Sequence, residues 1–221
     1  AVTHLATAAI VVAFAVLAAA AGASDFASLA ATTGTLPALG RDVVFVLLLV
    51  GFGTKAGAIP FHVWLPRAHP VAPSHVSALM SGVMIKAGIY GIVRFVLEIM
   101  GPGPEWWGIS VLAIGVVSAL LGVLYALMEH DLKRLLAFHS IENIGIILIG
   151  VGVALLAAGQ GAVALATVAL TAALFHTLNH ALFKSALFLA AGSIQAAVGH
   201  RDLNGLGGLA RTMPVTASAF V

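Results

Sequence analysis

An all-α, polytopic bundle of transmembrane helices is the fold class this sequence predicts, and three observations predict it. Only 8% of the 221 residues are charged and 61% are hydrophobic, whereas soluble chains carry roughly a quarter charged residues. So few charges cannot cover a water-facing surface, and the mean hydropathy of +1.11 agrees. The apolar residues fall into runs of about 20, the length that crosses ~30 Å of hydrocarbon. Several Lys, His and Glu side chains lie within those runs rather than between them. The length allows roughly six or seven spans joined by short loops.

The first run covers residues 4–23, and a Thr/Gly/Pro-containing polar segment fills 24–40. The second run starts near Val43 and passes Lys55. Pro60 lacks a backbone donor and should break this helix. Apolar sequence continues through Trp64, Pro66 should end it, and residues 66–73 read as a compact loop. Ser74 can cap the third span, residues 75–99, which holds Lys86 in its interior. Gly and Pro make a turn of residues 101–104, and Trp106 and Trp107 suit the membrane interface. The fourth span, 108–128, is followed by a polar joint at 129–134. The fifth, 135–158, carries His139 and Glu142 in its first turns. The sixth apolar stretch, 161–198, is longer than one crossing needs at ~1.5 Å per residue. It should tilt, overhang or be interrupted near His176 and His180. Residues 199–213 read as a loop, and a fresh apolar run starts at Pro214.

Arg67, Lys133, Arg134, Arg201 and Arg211 fall in the even-numbered loops. The positive-inside rule places those loops, and Ala1, on the cytoplasmic side. No basic stretch precedes the opening run, so a signal peptide is not expected. The chain reads as a single transmembrane domain, 1–221, and as an internal fragment of a longer membrane protein. A net charge of +2 gives no reason to expect nucleic acid as a partner. With no cysteine, disulfides, iron–sulfur clusters and thiolate chemistry are excluded. The many glycines read as helix-packing contacts in lipid.

Titratable side chains inside a span are costly and therefore informative. Lys55 sits a few residues before the break at Pro60, where freed backbone groups must line a cavity. It could exchange a proton there, or it could snorkel or hold a carbonyl. Lys86 lies midway along its span, near Ser81 and Tyr90, too deep to snorkel easily. His176, His180 and Lys184 recur every four residues and share one helix face. Imidazole titrates near physiological pH, so that row could relay protons, although helix packing would also accommodate the two histidines. Two His at this spacing can bind zinc, but no third ligand lies nearby in sequence. His139 and Glu142 share a face beside Asn143. Glu142 could meet a Lys or His across the bundle, or pair locally with Lys133 or Arg134. His62, His69 and His75 flank the Pro-rich loop and suit packing or the interface better than catalysis. No cofactor site and no catalytic centre is expected, and the only substrates implied are protons or Na⁺. These residues together point to an ion or proton pathway in a membrane bundle.

Three segments carry a resemblance: GFGTKAGAIPFHVWLPRAHPVAPSHVSALMSGVMIKAGIYGIVRF (51–95), DLKRLLAFHSIENIGIILIG (131–150) and FHTLNHALFKSALFLAAGSI (175–194). They resemble the proton-conducting, antiporter-like membrane subunits found in respiratory complex I, the Mrp cation/proton antiporters and group 4 hydrogenases. The resemblance implies about fourteen spans in two inverted repeats, with a broken helix in each. It matches Lys55 to the lysine of the first broken helix and Lys86 to a second lysine in the next helix. His176, His180 and Lys184 match the row of a central hydrated axis. The family's glutamate that pairs with the broken-helix lysine would precede this chain. The charged residue of the second broken helix would follow Val221. The pair His139 and Glu142 tilts the resemblance toward complexes of the hydrogenase-4 and formate hydrogenlyase type. The implied function is proton translocation coupled to electron transfer, with other membrane subunits as partners in a bacterial or archaeal inner membrane. A Na⁺/H⁺ antiporter subunit of the Mrp type is the alternative.

Overall fold

In the computed structural model, which describes residues 2–220, all regular elements are helical among those residues. The first and second spans are joined by more than a loop. Asp25 accepts a hydrogen bond from Ser28 N at 3.0 Å and caps α2 (Phe26–Thr33), which follows α1 (Val2–Ala21). A carboxylate at an N-cap satisfies one of the helix's free amides. Hydrogen bonding by the Ser28 side chain and then its backbone N–H holds the Asp25 carboxyl below its ordinary range.

The second span is broken, as the position of Pro60 predicts. α3 (Ala38–Ala56) ends at Gly57, whose φ of 80° is the left-handed conformation that glycine adopts without strain. A cis Ile59–Pro60 peptide and a 3₁₀ turn, Phe61–Trp64, follow. The chain then re-enters helix as α4 (Leu65–Val71). The expected loop at 66–73 is therefore mostly helical. Pro66 stands in the first turn, where a missing N–H and a fixed φ favour the start of a helix rather than its end. The groups freed by the break are met by side chains: Ser118 Oγ accepts from Ile59 N at 2.9 Å, and Trp64 Nε1 donates to Thr54 O at 2.8 Å.

The third span is one continuous rod of α5 (Ser74–Leu79), a π-helical turn (Met80–Met84), α6 (Ile85–Gly91) and a second π segment (Ile92–Ile99). Pro73, not Ser74, holds the cap position, and no side chain caps this helix. Next come α7 (Glu105–Leu127), α8 (Leu132–Gly159) and α9 (Val163–Val198). α10 (Leu209–Thr212) and α11 (Pro214–Phe220) close the described residues. Among the described residues, six segments are long and apolar enough to cross a membrane: Val2–Ala21, Ala38–Val71, Ser74–Ile99, Glu105–Leu127, Leu132–Gly159 and Val163–Val198. Trp106 is 39% exposed, as an interfacial residue should be, but Trp107 is buried. Trp107 stacks on Phe45 and donates to Asp42 Oδ1 at 2.9 Å, so its indole N–H is satisfied inside the bundle.

α8 is the central helix, packed between α7 and α9. Close backbone approach explains the small residues at these seams. A Cβ at Gly115 would stand 2.7 Å from Ile149 N, and one at Gly145 would stand 2.3 Å from Ala119 N. Lipid is as apolar as the helix sides, so such close packing supplies association that the hydrophobic effect cannot.

The even-numbered loops meet on one face. Leu132 N donates to Arg201 O at 3.0 Å, and Leu203 N donates to His130 O at 2.8 Å. The Arg201 guanidinium pairs with Asp131 at 3.1 Å and donates to Pro70 O at 2.5 Å. Loop charges counted in sequence thus gather at one end of the bundle. Ala1 lies outside the described residues.

Candidate functional site

Apart from Lys55 on α3, the sequence-predicted titratable residues of the pathway lie on three spans: the third, α8 and α9. α9 runs uninterrupted for 36 residues, so of the three expected outcomes interruption near the histidines does not occur, and tilt or overhang accommodates its length. His176, His180 and Lys184 occupy successive turns. The two imidazole rings are 6.4 Å apart and nearly parallel. His180 is fully buried and Lys184 is 2% exposed.

A bridge made of hydrogen bonds and the Ser81 main chain joins this row to Lys86. Lys86 Nζ donates to Ser81 O. Ser81 Oγ and Ser140 Oγ are 2.8 Å apart, and Ser140 Oγ donates to Leu136 O at 2.9 Å. Lys184 Nζ reaches the same carbonyl at 3.4 Å. Two lysines from different spans therefore end on the two backbone carbonyls, Ser81 O and Leu136 O, that flank one pair of bonded, buried hydroxyls. A charge at hydrocarbon depth costs several kcal/mol, and a hydrogen bond to a charged group returns about 1.5–3. Packing alone does not account for two lysines at this point.

At its other end the row continues into α8. His176 Nε2 donates to Asn143 Oδ1 at 2.9 Å, while Asn143 Nδ2 donates to His139 O at 2.7 Å. His139 Nδ1 lies 2.5 Å from Glu142 Oε2. Glu142 pairs with His139 and not with Lys133 or Arg134, the local partners the sequence left open. Arg134 pairs with Glu129 at 2.8 Å, and Lys133 donates to Ala72 O at 2.9 Å. Glu142 Oε2, His139, Asn143 and His176 are joined by hydrogen bonds, and His180, whose ring nitrogens have no partner among the described residues, stands between them and Lys184, so that these groups and Lys86 form one polar file through apolar helices.

Lys55 stands apart from that file. It occupies the last turn of α3, half-buried, with no hydrogen bond or ion pair among the described residues. α3 does pack closely on α6: a Cβ at Gly88 would stand 2.6 Å from Ala56 N. Lys55 and Lys86 therefore sit on touching helices.

Sequence reasoning missed Ser140, which is the hinge of the bridge. Its signal was present, since Ser140 lies between His139 and Glu142, but periodicity could not say that it meets Ser81 across the bundle. His69, which the sequence suits to packing or the interface, is fully buried. His75 is exposed, and His62 is half-buried at the break.

A helical membrane bundle with one broken span and a partly buried file of Lys, His and Glu defines the class of antiporter-like membrane subunits. The chain belongs to the NADH:quinone oxidoreductase/Mrp antiporter transmembrane family, whose model matches residues 1–221. It is 51% identical over 220 residues to hydrogenase-4 component B of Escherichia coli K12, a match covering 99% of this chain and 32% of that protein. It is 46% identical over 183 residues to formate hydrogenlyase subunit 3 of the same organism, covering 83% and 30%. Its fold matches a chain of the Mrp complex from Dietzia sp. DQ12-45-1b with a TM-score of 0.86 and 32% identity, covering 99% and 38%. The chain spans about a third of the length of the curated relatives it matches. The all-α, antiporter-like membrane fold expected from sequence is the fold observed, and the membrane is its location.

Proposed function

We propose that the protein containing this chain moves protons across the membrane, driven by electron transfer in a hydrogenase-like or complex I-like assembly. The observation that carries this reading is the bridge from Lys184 to Lys86 through Leu136 O, Ser140 and Ser81. Lys, His and Glu can each hold and release a proton. Shifting one proton between neighbours needs only modest changes in pairing, since one pKa unit corresponds to about 1.4 kcal/mol. Lys86, His139, Glu142, His176, His180 and Lys184 form the file. Lys55 sits beside it at the broken helix, where motion of α4 against α3 would alter its surroundings.

In this reading the 221 residues are one part of a single transmembrane domain whose path is completed by segments outside the chain. The partners are other membrane subunits, as the relatives' names, component B and subunit 3, suggest. The test is Lys184→Ala in the full-length protein within its complex, with proton uptake measured per electron transferred. Loss of translocation with electron transfer intact supports the reading; unimpaired translocation sinks it.

A second reading is a cation/proton antiporter subunit without a redox partner, favoured by the fold match to a chain of an Mrp complex. It predicts Na⁺-dependent proton movement in vesicles given no electron donor. The first reading predicts none.

A further inference from the structure

We infer that His69 is an additional proton-relay residue, joining Lys184 to the loop face of the bundle at Lys133. The inference rests on the proton reading above and extends the file in the direction away from Glu142.

His69 lies in the last turn of α4 and is fully buried. Its ring stacks on Phe188, centroids 4.4 Å apart and planes within 15°. Phe188 follows Lys184 by one turn of α9, so the stack holds the imidazole beside the end of the file described above. Both Lys184 and Lys133 lie within electrostatic range of the ring. Lys133 is itself 2% exposed and donates to Ala72 O, three residues beyond His69. Asp131 and Arg201, paired at 3.1 Å and partly exposed, lie next on the loop face.

The ring's chemistry separates relay from packing. Both nitrogens of His69 are buried and have no hydrogen-bond partner among the described residues. Buried polar groups are normally hydrogen-bonded, and leaving one unpaired costs about 1–3 kcal/mol. A phenylalanine would stack on Phe188 equally well without that cost. Water is the remaining species that can bond both nitrogens, and a buried polar site of this kind commonly holds it. An imidazole with water on either side can accept a proton at its bare nitrogen from the loop side. It then releases the proton on its other nitrogen toward the Lys184 amine, which becomes an ammonium. One proton moves, the ring returns to neutrality as the opposite tautomer, and a ring flip or exchange with water resets it. Lys133 is a positioning residue here, because its ammonium fixes the carbonyl end of α4.

The test uses His69→Phe and His69→Gln in the full-length protein within its complex, reconstituted in vesicles, beside Lys184→Ala. His69→Phe keeps the stack and removes both nitrogens, so a packing role predicts wild-type behaviour. The relay predicts assembled complex, continued electron transfer, and proton translocation reduced at least tenfold across the pH range. His69→Gln, which keeps hydrogen bonds but not a titratable ring, should show the same loss and decides the matter if the Phe variant does not assemble. Wild-type proton flux in either assembled variant overturns the inference. If Lys184→Ala is inactive while the His69 variants pump normally, only the role of His69 falls. If all three pump normally, the proton reading falls with it.

Discussion

Two serines set the connection between the lysines, and the smallest change that tests it is the loss of one oxygen. Ser140 Oγ bonds both Ser81 Oγ and Leu136 O within the bundle. Ser140→Ala should leave the fold intact, costing about 1–3 kcal/mol for the partner left unpaired. It should slow proton translocation severalfold, measured as uptake per electron in vesicles. A rate equal to the parent's would show that protons do not pass between Lys86 and Lys184 at this point. At the other end, Glu142→Gln removes the charge facing His139 while keeping the side-chain shape. The expected result is slower translocation with unchanged assembly, checked by comparing flux with the yield of purified complex. The residue types were legible in sequence, because Lys, His and Glu in apolar runs are conspicuous. Their partners were not: Glu142 had Lys133 and Arg134 close in sequence, yet helix geometry turned it toward His139, one turn away.

Helices contribute by holding these groups at fixed separations, and the broken span is the element most dependent on others. Its freed amide at Ile59 is bonded by Ser118 of α7, which is fully buried. Ser118→Ala should destabilise the protein by about 1–3 kcal/mol and increase amide hydrogen exchange around residues 57–61. Exchange unchanged there would mean that the amide has another partner. The break itself was legible from Pro60, but α4 was not, because Pro66 and Pro70 resemble loop residues until one knows that Pro66 stands in a first turn. At the α7–α8 seam, Gly145→Val should cost at least ~3 kcal/mol, since overpacking typically costs 1–3 and the added carbon would meet backbone 2.3 Å away. Detergent thermal-shift measurements would show it; a melting temperature equal to the parent's would contradict the close approach. α2 escaped notice in sequence because eight residues give too short a pattern, although Asp25 three residues before Ser28 is a capping signal.

Across the whole molecule, the loop face ties the second half of the broken span to the segment that leads into α11. Arg201 joins Asp131 on one side and the Pro70 carbonyl on the other. Arg201→Ala should loosen both attachments, seen as raised hydrogen exchange at residues 130–132 and 201–205 with exchange in α7 unchanged. Exchange confined to its parental level in both segments would remove Arg201 as a clasp. The sequence by itself determined the membrane class, the number and order of the spans, the break at Pro60, and the gathering of positive loops on one side. Hydropathy and backbone chemistry act locally, so these features are written in consecutive residues. Only the tertiary structure decided that Ser81 meets Ser140, that Lys184 and Lys86 share one bridge, that Lys55 stands outside it, and that His69 is buried against Phe188. Those contacts join residues as much as 119 positions apart, and what selects among the possible neighbours is the fit of small and large side chains between helices, which no single stretch of sequence contains.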